Sequence, residues 1–264
     1  MEIKDRKEVE EMYREFVAPD GLMNLNSGKF HESYEEVGVE TCDNMNGILY
    51  LAEFHLLLKT HRLIDIEDAF RANDAIEMIQ EKPGYFHRNP GRVQEKEAHD
   101  NYNGITALSI LHNLDYPKEI VQAGLKNGFT FDNANPGRFS LEHWRQGIDV
   151  THYKLAAGYV PSPDEILWFV GGTAACTFYD PVEKSSEWLL NWVRLKSLDL
   201  LLEKKARTFD RSTRNIFEVI GAAREFWKWR LNKKTDGRGI EAPFETFFKN
   251  PKHPNRILSK GLKY

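Results

Sequence analysis

Cysteine is nearly missing from this chain: Cys42 and Cys176 are the only two in 264 residues. Cys42 stands beside a predicted helix start and Cys176 inside an apolar run, so the pair supports neither a disulfide framework nor a zinc site. An excess of positive charge is missing as well. With 36 Lys and Arg against 40 Asp and Glu the formal net charge is −4, so the overall field repels polyphosphate and nucleic acid is not the favoured partner. The first residues, Met1-Glu2-Ile3-Lys4-Asp5-Arg6-Lys7-Glu8, are too charged for the apolar region of a signal peptide, which gives the expectation of a cytoplasmic origin. No apolar run reaches membrane-spanning length. The most apolar stretch, Ile166 to Tyr179, falls about four residues short of the ~18 required and follows Asp164-Glu165, so it reads as a buried core helix.

Signature motifs are absent too. There is no Gly-rich dinucleotide fingerprint, Walker sequence, Gly-x-Ser-x-Gly elbow, His-Glu-x-x-His helix or Cys-x-x-Cys, and no cofactor or metal is expected. Period-two alternation is scarce, and no fixed-period repeat or coiled-coil heptad occurs.

What remains is a globular, helical sequence. Hydrophobic residues make up 41% and charged residues 29%, with 16 Phe, 10 Tyr and 6 Trp, enough to bury a core. Periodicity predicts an all-α fold: an array of antiparallel helix hairpins with short connections, either a partial α/α toroid or an irregular bundle, in a single domain over 1–264. Within it, residues 1–40 form an N-terminal helix (4–17) and a loop, and 233–264 form a basic tail with a short helix near Phe244–Phe248. Asp43 or Asn44 caps a helix through Ile48, Leu49, Ala52, Leu56 and Leu57. Asp65, with Asp68 three residues on, opens the next, whose stripe is Ala69, Ala72, Ile76 and Ile79 and whose end falls at Pro83-Gly84. A helix from His99-Asp100 pairs with one opened by Pro117 and stopped at Asn127-Gly128. Ser140 caps a helix to Ala157-Gly158, Asp164 caps the apolar helix, and 185–206 and 211–232 are long amphipathic helices. Interior glycines such as Gly104 and Gly147 cost about 1 kcal/mol each relative to alanine, which close helix packing offsets.

Chemistry concentrates around a tetrapeptide used twice, Asn89-Pro90-Gly91-Arg92 and Asn135-Pro136-Gly137-Arg138. Each is a sharp turn that presents its Arg at a defined spot ahead of a polar helix start. After the first, His99-Asp100-Asn101-Tyr102-Asn103-Gly104 is the densest polar cluster, at a helix N-terminus suited to anions. After the second, Arg145, Asp149, His152 and Tyr153 share one face of the 140–157 helix, opposite Leu141, Trp144, Ile148 and Leu155. An Arg, an Asp, a His and a Tyr supply an anion clamp, a carboxylate and two proton carriers, where a solvated face carries Lys and Glu. His55 and His61, six apart near Glu53, do not share a metal-binding face and read as structural or solvent-facing, and His112 reads as a satisfied core histidine. Trp227-Lys228-Trp229-Arg230 reads as core.

Arg88-Asn89-Pro90-Gly91-Arg92, His99 to Gly104, and Asn135-Pro136-Gly137-Arg138-Phe139 through Arg145-Gln146-Gly147-Ile148-Asp149 with Tyr153-Lys154 resemble a group of uncharacterised tailed-phage proteins, over roughly residues 45–205. The resemblance implies a viral source, in the host cytoplasm or associated with the virion. Helix hairpins with His, Asn, Tyr and Arg gathered at one end are also similar, in architecture only, to α/α-toroid glycan lyases and hydrolases. Two functions follow as expectations. One is an enzyme acting on an acidic glycan or similar polar substrate, with His99, Asp100, Asp149 and Tyr153 catalytic and Arg88, Arg92, Tyr102, Arg138, Arg145 and His152 binding substrate. As a lyase it uses an Arg to neutralise the substrate carboxylate and His99 or Tyr153 to take the proton; as a hydrolase it pairs Asp100 with Asp149. The other is a non-enzymatic phage accessory or virion-associated protein whose polar cluster fixes helix register.

Overall fold

A computed structural model describes residue 6 and residues 47–60, 62–86, 99–129, 141–179, 185–205 and 211–234. The described elements are α1 (Gly47–Thr60), α2 (Ile66–Ile79), β1 (Gln80–Lys82), β2 (Tyr85–Phe86), α3 (His99–His112), α4 (Tyr116–Asn127), α5 (Leu141–Ala156), α6 (Pro163–Tyr179), α7 (Ser185–Lys205) and α8 (Arg211–Lys234). The all-α reading holds apart from the small hairpin. The N-terminal helix beyond Arg6, the loop to Val39, the caps at Asp43 or Asn44 and at Ser140, both Asn-Pro-Gly-Arg turns and the basic tail lie outside the described residues.

Local chemistry sets the helix limits. Asp65 and Asp68 exchange side-chain-to-backbone bonds at 3.2 and 2.9 Å, a reciprocal cap that starts α2. Arg6 closes this corner, donating to Asp68 and to Leu63 O at 2.9 Å. Burial acts to raise the Asp68 carboxyl, but the Arg6 and Asp65 bonds hold it below its usual value. Proline in the first turn and left-handed Gly128 (φ 69°) bound α4. Two limits differ from expectation. Helix α2 ends at Ile79, and Pro83-Gly84 is instead the turn of the β1–β2 hairpin; strands of two and three residues are too short for alternation to reveal. A Cβ on Gly84, at φ 82°, would lie 2.4 Å from Glu119 O, so the turn needs glycine twice over. For α6 the reciprocal cap is Ser162 with Glu165, at 3.3 and 2.8 Å, and Asp164 sits in the first turn, because Pro163 already has the φ of a first helical residue.

Bond pairs show that α1, α3, α5 and α7 run in one sense. Ile48 and Leu49 lie against Gly104, and one end on, His55 bonds His112. Asn103 meets Arg194, and Ile110 O meets Lys204. Asp149 meets Arg194, and His152 meets Ser197. Helix α3 packs on α1, α5 and α7, and α1 and α5 each also reach α7. The even-numbered helices flank them: α2 on α1 and α3, α4 on α3 and α5, α6 on α5 and α8. Residues 101–110 of α3 are buried throughout. One apolar cluster gathers around Phe86, Tyr102, Ile105 and Ile120, a second around Ile148, Phe169, Leu198 and Ile220.

Gly104 permits the α1–α3 approach, since a Cβ there would stand 2.8 Å from Ile48 O and from the Leu49 backbone. Gly104→Ala is therefore expected to cost about 1–3 kcal/mol despite alanine's better helix propensity. Gly221 in α8 has nothing within 4 Å of that position, and Gly221→Ala is expected to gain up to about 1 kcal/mol. Urea unfolding of the two variants checks the opposite signs.

Candidate functional site

Three helices aim polar side chains at one point between the two apolar clusters. Asn103 comes from α3. Helix α5 supplies Asp149, His152 and Tyr153 at i, i+3 and i+4, one face of a 3.6-residue period, and α7 supplies Arg194 and Ser197 at i and i+3. The Asn103 amide nitrogen donates to Asp149 Oδ1 at 2.9 Å and to the Tyr153 hydroxyl at 3.2 Å. Arg194 donates from Nε to Asn103 Oδ1 at 3.3 Å and from its terminal nitrogen to Asp149 Oδ1. His152 Nδ1 lies 3.4 Å from Asn103 Oδ1, and its Nε2 lies 3.0 Å from Ser197 Oγ. Because Asn103 Oδ1 can only accept, the contact at Nδ1 assigns the neutral Nδ1–H tautomer, and Nε2 competes with the Val193 and Arg194 carbonyls for the single Ser197 hydroxyl proton. Burial, reinforced by the Arg194 charge, lowers the His152 pKa to about 3 and keeps that ring neutral.

All six residues are buried; Asp149 is 4% exposed and Arg194 3%. None of them has a buried polar atom without a partner. The order Ser197, His152, Asn103 is one that an activated hydroxyl would use. Here, however, Ser197 is wholly buried and its hydroxyl also reaches Val193 O at 2.8 Å and Arg194 O at 3.1 Å, inside its own helix. Among the described residues no group of three or more His, Cys, Asp or Glu side chains could hold a metal ion.

Of the residues expected at a site, Asp149, His152 and Tyr153 come together. Tyr102 lies beside them, its ring centroid 6.3 Å from that of Tyr153, with its other edge under the hairpin, edge-on to Phe86 at 5.6 Å, and its hydroxyl 3.4 Å from Gly84 O. His99 and Asp100 do open α3, but their side chains and that of Arg145 lie outside the described residues, as do Arg88, Arg92 and Arg138 entirely. The guanidinium on Asp149 is Arg194, which sequence reasoning missed. Its signal was a charge in the inward stripe of α7, at i, i+3, i+4 and i+7 with Ser197, Leu198 and Leu201.

Other ionisable groups are buried outside this network. His55 Nδ1 and His112 Nε2 are hydrogen-bonded at 2.9 Å, one ring donating and the other accepting. Burial, with the neighbouring His112, lowers His55 to about 3, and burial, with the Lys204 charge, lowers His112 to about 4. His112 is thus a paired, half-buried histidine, and His55 faces inward rather than to solvent. Glu53 is fully buried, neither oxygen has a hydrogen-bond partner among the described residues, and burial pushes its carboxyl up to about 8. A separate cavity of about 700 Å³ between the end of α1 and α7 is lined by none of the six network residues. No protein-family model, curated protein or solved structure matches the chain.

Two predictions follow from these geometries. Removing one partner of a buried ion pair strands the other, so Arg194→Met is expected to lose about 3–5 kcal/mol. Asp149→Asn combined with Arg194→Met should lose at least about 1 kcal/mol less than the two singles added, in urea unfolding; simple additivity would contradict a shared node. The second concerns pH. The three histidines have folded pKa values below the unfolded 6.5, so the unfolded chain takes up their protons first and stability falls as pH drops below 6.5. Glu53 has the opposite sign: raised from 4.5 to about 8, it stabilises fully below 4.5 and loses that contribution as pH rises through 8. Three protons against one give a loss of about 2–3 kcal/mol per pH unit near pH 5 and a stability maximum at about pH 7. Urea midpoints from pH 4.5 to 8 check this, and Glu53→Gln should steepen the acid limb by about 1.4 kcal/mol per unit.

Proposed function

We propose that the chain is a non-enzymatic accessory protein of the tailed-phage type it resembles, and that its central polar cluster is a structural network. The observation that carries this is the state of Asp149, His152 and Tyr153: each is buried, each is bonded to other side chains, and the cavity beside α1 and α7 includes none of them. A group that transfers a proton to substrate must come within hydrogen-bond reach of it. In these helices Asp149 Oδ1, the Tyr153 hydroxyl and both His152 nitrogens are engaged by neighbours. Their role on this reading is registry, since six mutually satisfied polar groups tolerate only one relative position of α3, α5 and α7.

The alternation of α1, α3, α5 and α7 with flanking α2, α4 and α6 supports the partial α/α-toroid arrangement as the framework. It lends nothing to the glycan-active function, because fold does not imply function. A lyase or hydrolase acting on an acidic glycan would need Asp149 or Tyr153 open to water.

The test is to incubate the protein with a panel of uronate-containing and sialylated oligosaccharides and to assay for unsaturated or reducing ends. No turnover is expected. Tyr153→Phe and Asp149→Asn are expected to lower the unfolding midpoint. Turnover by the wild type that disappears in a folded Tyr153→Phe variant would overturn the proposal and restore the enzyme.

A further inference from the structure

The cavity between α1 and α7 has a chemistry of its own. Leu56, Ile64 and Leu200 give it aliphatic lining, and Lys59, Arg62 and Lys196 give it cationic lining. The carboxylate of Asp199 also borders it, but Arg224 holds that group at 2.9 Å. Lys59 and Arg62 are exposed and enter no ion pair among the described residues, and Glu203 is the carboxylate that also lines the cavity. Lys204, just behind, is turned to Ile110 O and Asn113, and the Lys59 charge acts on it, so positive charge accumulates at this end of a chain whose net charge is −4.

Arg62 is placed there at a conformational cost. It occupies the left-handed position (φ 60°) after α1, where Leu63 N reaches back to Leu58 O at 2.8 Å and Arg62 N to Lys59 O at 3.1 Å. That helix-ending geometry favours glycine, because a Cβ crowds the backbone. An arginine kept in a conformation that glycine would adopt without strain is a pointer to function.

We infer that this cavity binds a small phosphate monoester with an aliphatic body, its phosphoryl group between Lys59 and Arg62 and its chain on Leu56, Ile64 and Leu200. These two cations match a group carrying close to two negative charges at neutral pH, which a single carboxylate does not. The volume is in the range of small-molecule sites. The inference goes beyond the accessory reading and stands whether or not the central network is structural.

Isothermal titration of the full chain with n-hexyl phosphate and with inorganic phosphate tests it. Hexyl phosphate is expected to bind at least tenfold tighter than inorganic phosphate, because its chain leaves water. Arg62→Gly relieves the left-handed strain, so its unfolding midpoint should be unchanged or higher while its affinity for hexyl phosphate falls at least tenfold. Glu203→Gln removes the opposing charge and should tighten binding two- to threefold. Affinity unaltered in Arg62→Gly, or equal binding of the two probes, would overturn the assignment, as would the absence of saturable binding.

Discussion

The meeting of Asn103, Asp149 and Arg194 is the constraint on which the rest of the arrangement rests. Each of the three comes from a different helix, and each satisfies the other two. A buried guanidinium beside a buried carboxylate is not a strong source of net stability, since desolvation offsets most of the attraction. Its force is exclusionary: sliding α7 by one turn against α3 or α5 would strand a charge in the interior. The apolar clusters on either side supply the driving force for burial, and the polar node between them decides which of several comparable packings is adopted.

The same logic separates the interior from the rim. Inside, His55 with His112, and His152 with Ser197, are neutral and paired, and Glu53 is held protonated by the absence of water. At the end of α1 the chemistry differs: Lys59 and Arg62, with no ion pair among the described residues, line a cavity together with Leu56, Ile64 and Leu200.

Much of the helical framework was legible in the sequence because local bonds set it. Asp65 and Asp68 announce a capping box three residues apart, Pro117 and Gly128 bracket α4, and the period of Asp149, His152 and Tyr153 gives a shared face. What failed was non-local. Arg194 lies 45 residues from its partner Asp149, and no spacing rule links them. The hairpin around Pro83-Gly84 was unreadable because its strands are held by Phe86 packing on Tyr102 and Tyr116 rather than by strand propensity. Tyr102 looked like part of a polar helix start, yet the rings around it draw it into the apolar core.

The central claim, a closed network in place of a catalytic site, is tested most directly at the His152 ring. Nitrogen-15 NMR of the imidazole reports both tautomer and protonation. The account predicts a neutral ring with the proton on Nδ1 whose shifts stay constant from pH 7 to pH 5. A His152 that titrates near 6.5, with both nitrogens exchanging freely with water, would contradict it and show the cluster to be open.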